Sequence, residues 1–191
     1  TNHAGGGNSA GILRERRFIM QTTIPRVQRL QAYLKQESLD AAFVFDADNR
    51  RYLSGFRGST GYVVITQREA LFFTDCRYTQ QAGEQCPGLE IVPIRSEADV
   101  ISYLASHALR RLGLVESETS MRLYGALKSG IAQLETAPID RELLRLRMVK
   151  DEEECAAIRR ACEITDFAFT AMCRMIRPGV TEAAIDRFLQ D

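Results

Sequence analysis

The chain has 191 residues, which is enough to bury a core and to form one or two domains. Its 25 basic residues balance its 25 acidic residues, so charge gives no argument for a nucleic-acid partner or for binding to an anionic membrane. No apolar run approaches the ~20 residues that span a bilayer, and the 45% hydrophobic content is that of an ordinary globular protein.

The first segment, residues 1–19, contains a glycine cluster and a short basic run without periodicity. This composition predicts a disordered leader, either native or an added tail, with Met20 as an original start. It does not match a secretory signal, because only three apolar residues follow the basic run. A helix is predicted from Pro25, since apolar residues then recur at helical spacing.

Alternating strands and helices are predicted up to residue 140. Short runs rich in β-branched and aromatic residues predict strands at 41–45, 62–66, 70–74, 89–94, 112–116 and 135–139. Helices are predicted at 79–85, 97–111 and 120–132. The tight link between the second and third strands predicts an antiparallel hairpin, so we expect an α/β fold with a mixed sheet.

Two loops of this region have alternative interpretations. Asp46–Asn49 alternates acidic residues as calcium loops do, but it lacks their glycine and distal glutamate, which favours a plain turn. Gly55, Gly58 and Gly61 are spaced like a phosphate-binding loop, but no lysine follows and the segment leads into a strand. We therefore interpret residues 55–61 as a surface recognition loop that must bend repeatedly.

The last third of the chain is predicted to be helical, with a short basic helix at 141–148 and a long helix from Asp151. Asp151 and Glu154 fit a capping box, and Pro178-Gly179 ends the helix. A further amphipathic helix is still running at Asp191. We therefore expect a fragment with one complete domain, residues 20–140, and the start of a second domain, residues 141–191.

The five cysteines are an odd number, which fits a reducing compartment and predicts a cytoplasmic protein. Cys155, Cys162 and Cys173 fall on one stripe of the long helix. No histidine lies near them to complete a zinc site, so we interpret them as core thiols.

Two sets of motifs resemble one family. The run NRRYLSGFRGSTG at 49–61, followed by TDCRYTQQA at 74–82, resembles the amino-terminal domain of the creatinase/prolidase/aminopeptidase P family. The runs LRMVKDEEEC at 146–155 and IRPGVTE at 176–182 resemble the opening of that family's catalytic pita-bread domain. The resemblance implies a six-stranded mixed sheet flanked by helices in the first domain.

The resemblance also implies a function for the full-length protein, the metal-dependent hydrolysis of the bond before proline in short peptides. Family members use two divalent metal ions, manganese, cobalt or zinc, held by two Asp, one His and two Glu. By resemblance these ligands lie beyond residue 191, and neither His3 nor His107 sits in a suitable motif. We therefore expect no catalytic or metal-binding residue in this chain, and no peptide hydrolysis by it alone.

A supporting role remains for the first domain. The resemblance implies that it contacts a neighbouring subunit of a homo-oligomer and narrows the catalytic cleft. The residues expected at the substrate cleft or the subunit contact lie in the glycine-rich loop and at the corner after the third strand: Tyr52, Phe56, Arg57, Ser59, Arg77 and Tyr78. An arginine there can bind a carboxylate bidentately, and an aromatic ring can pack on proline.

These assignments leave alternatives open. Arg77 can instead pair with Asp75, and Tyr52 and Phe56 can belong to the core. The sequence does not separate an aminopeptidase from a dipeptidase. A creatinase-like amidinohydrolase and a non-catalytic binding or oligomerisation module remain as other functions.

Overall fold

This computed structural model describes residues 9–190, and their side chains from residue 23 onward. The described residues divide into two compact units, the first ending at Arg147 and the second beginning at Met148. No described helix is long and apolar enough to cross a membrane.

The first unit is built on one sheet. Its strands are β1 Ala41–Val44, β2 Tyr62–Thr66, β3 Ala70–Thr74, β4 Glu90–Pro93, β5 Arg111–Leu114 and β6 Glu135–Pro138. Its helices are α1 Ser9–Gln36, α2 Ala47–Ser54, α3 Thr79–Gln85, α4 Glu97–Ser106, α5 Met121–Gly130 and α6 Asp140–Met148. The predicted α/β class with a mixed six-stranded sheet is confirmed.

The strand order is β4-β3-β2-β1-β5-β6. Only β2 is antiparallel to its neighbours, while β1–β5, β5–β6 and β3–β4 pair in parallel. Five strands therefore end, and β2 begins, at the same end of the sheet, which we call the carboxyl end. In α/β sheets this is the end at which ligands usually bind.

Both faces of the sheet are covered by helices. One core cluster joins one face to α1, α2, α3 and α6, and the other joins the opposite face to α4 and α5. Alternation along the strands produces the two faces: Phe43 and Phe73 lie in one cluster, and Val44 and Phe72 lie in the other. The sheet is thus the middle of three layers.

The first helix is longer than predicted. It begins at Ser9, so residues 9–19 are helical and not disordered, because the residues after the glycine cluster are mostly good helix formers. Residues 1–8 of the predicted leader lie outside the described residues. Pro25, predicted to begin the helix, lies inside it, although proline lacks the N–H donor of the helical hydrogen bond.

The predicted turn at Asp46–Asn49 is instead the start of α2. Asp46 Oδ1 accepts a hydrogen bond of 2.9 Å from the backbone N–H of Asn49, which caps the helix. Gly55 ends it in the left-handed region, with φ of 81°, and donates to the carbonyl of Arg51 at 2.8 Å. Residues 49–54, predicted as loop, are therefore helical.

The first unit extends beyond the expected boundary at residue 140. Helix α6 was expected to open the second domain, but its Leu143 and Leu146 are buried in the core cluster that contains α1 and α2. The break between the compact units falls after Arg147. That the second unit belongs to a catalytic domain stays a prediction.

The second unit contains α7, Glu152–Met175, and α8, Glu182–Gln190. The predicted capping box is present. Asp151 Oδ1 accepts from the N–H of Glu154 at 2.8 Å, and Glu154 Oε2 accepts from the N–H of Asp151 at 3.0 Å.

The core assignment of the three α7 cysteines is wrong for the described structure. Cys162 and Cys173 are exposed and Cys155 is half-buried. No residue of α7 is buried, and apolar side chains such as Phe167, which is 78% exposed, face solvent on the same helix. The helical stripe is real, but within the described residues nothing covers it.

Candidate functional site

The glycine-rich loop, residues 55–61, lies at the carboxyl end of the sheet between α2 and β2. A buried arginine of α2 holds it in place. Arg50 is 6% exposed. Its Nη2 donates to the carbonyl of Gly58 at 2.8 Å, and its Nη1 donates to the carbonyls of Phe45 at 3.0 Å and Gly61 at 3.4 Å. The loop is therefore tied to α2 and β1 through its backbone.

Two of the loop glycines are needed for close packing and not for bending. Neither Gly58 nor Gly61 has a positive φ, unlike Gly55. A Cβ at Gly58 would lie 2.6 Å from Cε1 of Phe56, and a Cβ at Gly61 would lie 2.9 Å from Cε1 of Phe72. Two aromatic rings thus occupy the space that side chains would need.

The corner, residues 75–78, follows β3 at the same end of the sheet. Asp75 accepts three hydrogen bonds from Arg77, from its backbone N–H at 2.9 Å, from Nε at 3.0 Å and from Nη2 at 2.7 Å. The side-chain hydrogen bond lowers the pKa of Asp75 and raises the pKa of Arg77. The Arg77 side chain is still 69% exposed, so its charge faces solvent.

The loop and the corner contact each other. Ser59 Oγ and Tyr78 Oη are joined by a hydrogen bond of 2.8 Å. The ring of Phe56 meets that of Tyr78 edge-on, with centroids 5.8 Å apart. The backbone N–H of Arg57 donates to Gln85 Oε1 at 2.9 Å. The structure therefore brings five of the six predicted residues together.

Tyr52 is the residue that lies apart. It is buried, its hydroxyl donates to the carbonyl of Leu146 at 2.7 Å, and the guanidinium of Arg26 stacks 4.3 Å from its ring centroid. Phe56 is also core, at 1% exposure. For both residues the alternative assignment to the core is confirmed, as is the pairing of Arg77 with Asp75.

The accessible part of the site consists of four residues. Arg57, Ser59 and Arg77 are exposed and Tyr78 is half-buried. Together they form a surface with two guanidinium groups, one of which pairs with Asp75, two hydroxyls and one aromatic ring. Guanidinium groups can bind carboxylates, and aromatic rings can pack against apolar rings. That this surface contacts a substrate or a subunit stays a prediction. We call it the loop–corner surface.

Sequence reasoning missed Arg50. Nothing in its local sequence distinguishes it from Arg51, which is exposed. Once α2 is recognised, its helical period places Arg50 on the same face as the buried Leu53 and Ser54. Arg50 was therefore missed because α2 was not predicted from the sequence.

The described residues do not fit the two-metal site of the resembling enzymes. Among the side chains described, those of residues 23–190, no group of three or more His, Cys, Asp or Glu is placed to hold a metal ion. Asp46 and Asp140 line one cavity at the carboxyl end. The carboxylate of Asp140 accepts backbone hydrogen bonds from Glu116 at 2.8 Å and Ser117 at 3.0 Å, which is a structural role.

Known proteins resemble this chain across most of the first unit. The profile of the Creatinase/Prolidase N-terminal domain matches residues 26–149. An uncharacterized peptidase of Bacillus subtilis, YqhT, is 31% identical over 86% of this chain and 47% of its own length. The chain spans about half the length of the curated relatives it matches.

Solved structures agree with this match. The Xaa-Pro dipeptidase from Bacillus anthracis has a TM-score of 0.80 at 29% identity, covering 87% of this chain and 47% of that one. The N-terminal domain of the cytoplasmic peptidase PepQ from Mycobacterium tuberculosis has a TM-score of 0.59 at 28% identity, covering 64% of this chain and 98% of that one. Because the matched residues 26–149 include all six strands, the loop and the corner, the chain belongs to the creatinase/prolidase N-terminal domain family.

Proposed function

We propose that this chain is the amino-terminal part of a metal-dependent Xaa-Pro peptidase, an enzyme that hydrolyses the bond before proline. The observation that carries the proposal is the family match together with the likeness to an Xaa-Pro dipeptidase that is about twice as long. The two divalent ions, manganese, cobalt or zinc, would be held by residues outside this chain. When bound, they would supply the activated water for hydrolysis.

The first unit would restrict the cleft and contact a neighbouring subunit of a homo-oligomer. The loop–corner surface supports this role because it is exposed and held rigidly. Arg57 and Arg77 would attract the carboxylate of a short proline-containing peptide, and Tyr78 would pack against an apolar ring. We also propose a cytoplasmic location, because the similar PepQ of Mycobacterium tuberculosis is a cytoplasmic peptidase.

The test is hydrolysis by the full-length gene product. We expect cleavage of Ala-Pro or Ala-Pro-Ala that requires added manganese, cobalt or zinc and stops with a chelator. The 191-residue chain alone is expected to show no metal-stimulated cleavage. Cleavage of creatine alone would favour the amidinohydrolase alternative, and no hydrolysis of either substrate would favour a binding or oligomerisation module.

The role of the loop–corner surface is tested in the same enzyme. We expect Arg77→Gln to raise KM several-fold and to change kcat little, because the guanidinium would bind the peptide without acting on the reacting bond. Arg68→Gln is the matched control, since Arg68 is an exposed arginine in the turn between β2 and β3, at the opposite end of the sheet. Equal kinetics for the two variants would exclude substrate contact by Arg77.

A further inference from the structure

Arg50 is a buried cation that forms no salt bridge within the described residues, although the carboxylate of Asp46 acts on it from a greater distance. Its Nη1 and Nη2 donate only to backbone carbonyls, and its Nε is buried with no hydrogen-bond partner. Burial lowers the pKa of this guanidinium, against the opposing effects of Asp46 and Tyr62, which reflects the cost of holding the charge there. A buried charge normally has a counter-charge, because desolvating it alone is unfavourable. The unsatisfied Nε donor of a buried cation that has no salt bridge is the first sign of an anion site.

The guanidinium lines a cavity of about 270 Å³ at the carboxyl end of the sheet. We call it the Arg50 cavity. The side chains that give it its chemistry are Arg50, Ser59, Tyr62, Glu97, Ser120 and Arg122. Its volume suits a small group more than a drug-sized ligand, whose pockets measure roughly 300–1,000 Å³.

The amino terminus of α5 opens onto the same cavity. Ser120 caps this helix of ten residues, its Oγ accepting from the N–H of Leu123 at 3.2 Å, and both residues line the cavity. A helix amino terminus carries a partial positive charge and favours anions. This field adds to the charge of Arg50.

The charged side chains that line the cavity sum to one positive charge, and Asp46, which is not part of the lining, acts on Arg50 as a further carboxylate. Arg50 and Arg122 contribute two positive charges and Glu97 one negative charge. Glu97 pairs with Arg122 at 3.0 Å, and the Arg122 side chain is 77% exposed, so this pair is open to competition from another anion.

Tyr62 provides a neutral donor in the same place. Burial and the carboxylate of Glu97 raise the pKa of its phenol, against the opposing effects of Arg122 and Arg50. The phenol therefore stays protonated at neutral pH. Its O–H can donate to an anion, and Tyr62 lines the same cavity as Arg50, Glu97 and Arg122.

We propose that the Arg50 cavity binds a carboxylate group, carried by a small acid or by the carboxyl terminus of a peptide. The planar guanidinium groups, the hydroxyl donors and the helix amino terminus together match a planar anion of this size. The proposal does not depend on peptidase activity, and the cavity is separate from the exposed charge of Arg77.

The binding experiment uses the 191-residue chain and NMR. Acetate and N-acetylproline are titrated separately at constant ionic strength, with acetamide and sodium chloride as controls. The Nε–H signal of Arg50 and the backbone amide signals of Gly61 and Leu123 are followed. We expect saturable shifts with the carboxylates and none with the controls. Saturation by acetate alone assigns the cavity to small acids, and tighter binding of N-acetylproline assigns it to a peptide terminus.

Three surface substitutions test the charge argument without removing Arg50. Arg122→Gln should weaken acetate binding about two- to fivefold, as expected for an exposed charge. Glu97→Gln should strengthen it by a similar factor, because it removes the competing carboxylate, and a gain of affinity does not arise from unfolding. Arg68→Gln should leave it unchanged.

The following results would overturn the proposal that the Arg50 cavity binds a carboxylate. Shifts that do not saturate, or that acetamide reproduces, would show that no carboxylate site exists. Unchanged affinity in both Arg122→Gln and Glu97→Gln would show that binding occurs elsewhere. Arg50→Met should abolish the shifts of Gly61 and Leu123 while the circular dichroism spectrum is retained. Retained binding in a folded Arg50→Met variant would also refute the role of Arg50.

Discussion

The close packing of the glycine-rich loop against Phe72 predicts a large cost for one added methyl group. In Gly61→Ala the new Cβ would lie 2.9 Å from Cε1 of Phe72 and nearer still to Cζ, below the ~3.0 Å that real contacts keep. The ring is fully buried and Gly61 itself is buried, so neither can move freely. Overpacking of this kind costs about 1–3 kcal/mol in the free energy of unfolding.

Gly125→Ala is the matched control. Gly125 lies in α5, and a Cβ there meets no atom within 4 Å. Replacing a helical glycine by alanine stabilises a protein by about 0.5–1 kcal/mol, so the two substitutions should change stability in opposite directions. An unchanged stability in Gly61→Ala would refute the packing argument.

Urea unfolding followed by tyrosine fluorescence measures the stability of the first unit, which contains Gly61. The protein has no tryptophan, and all six tyrosines lie in the first unit, at positions 33, 52, 62, 78, 103 and 124.

The double variant Gly61→Ala with Phe72→Leu separates the steric clash from other effects of the substitution on stability. We expect it to be more stable than the sum of the single changes by about 1 kcal/mol or more. Additive losses would show that the ring is not the cause.

Three further predictions concern stability and reactivity. Tyr52→Phe should destabilise the first unit by about 1–2 kcal/mol in urea unfolding, because it leaves a buried carbonyl of α6 without its donor, whereas Tyr124→Phe should change little. The backbone N–H groups at the start of α4 lower the pKa of Asp99. The ionised carboxylate therefore stabilises the folded protein above the ordinary pKa of 3.8, and this stabilisation is lost as the pH falls below it. Asp99→Asn should flatten the acid limb of the pH–stability curve, and an identical limb would contradict this. Cys162 should react with an aromatic disulfide reagent at pH 8 before unfolding, while Cys86, whose pKa burial raises to about 12, should react only in urea, as mass spectrometry of the labelled chain would show.

The sheet could be predicted from the sequence because its strands carry their own signals. The apolar runs at 62–66 and 70–74 with a polar link between them predict a hairpin by composition alone, and the structure has β2 and β3 at these residues. Single-strand signals do not give the strand order. The β1–β5 pairing joins residues about 70 positions apart, which no local pattern indicates.

The candidate site was predicted less completely, because α2 is short and because the burial of its residues depends on tertiary contacts. Helix α2 has eight residues, too few for a periodic pattern to be read with certainty, and its stability comes from the Asp46 cap and from tertiary contacts. The sequence also did not show which side chains of the loop are exposed to solvent. Phe56 and Arg57 are neighbours in the sequence. Phe56 is nevertheless buried against the ring of Phe72, a tertiary contact, while Arg57 faces solvent.

Helix α2 connects the features that matter for function within the first unit. From one face Arg50 binds the glycine-rich loop, and from the same helix Tyr52 binds the carbonyl of Leu146. Asn49 accepts a hydrogen bond of 3.1 Å from Arg147, the last residue of the unit. The loop and the end of the first unit are thus attached to one short rigid element. A substitution that disturbs α2 would therefore affect the loop and the end of the first unit together, because both are hydrogen-bonded to this helix.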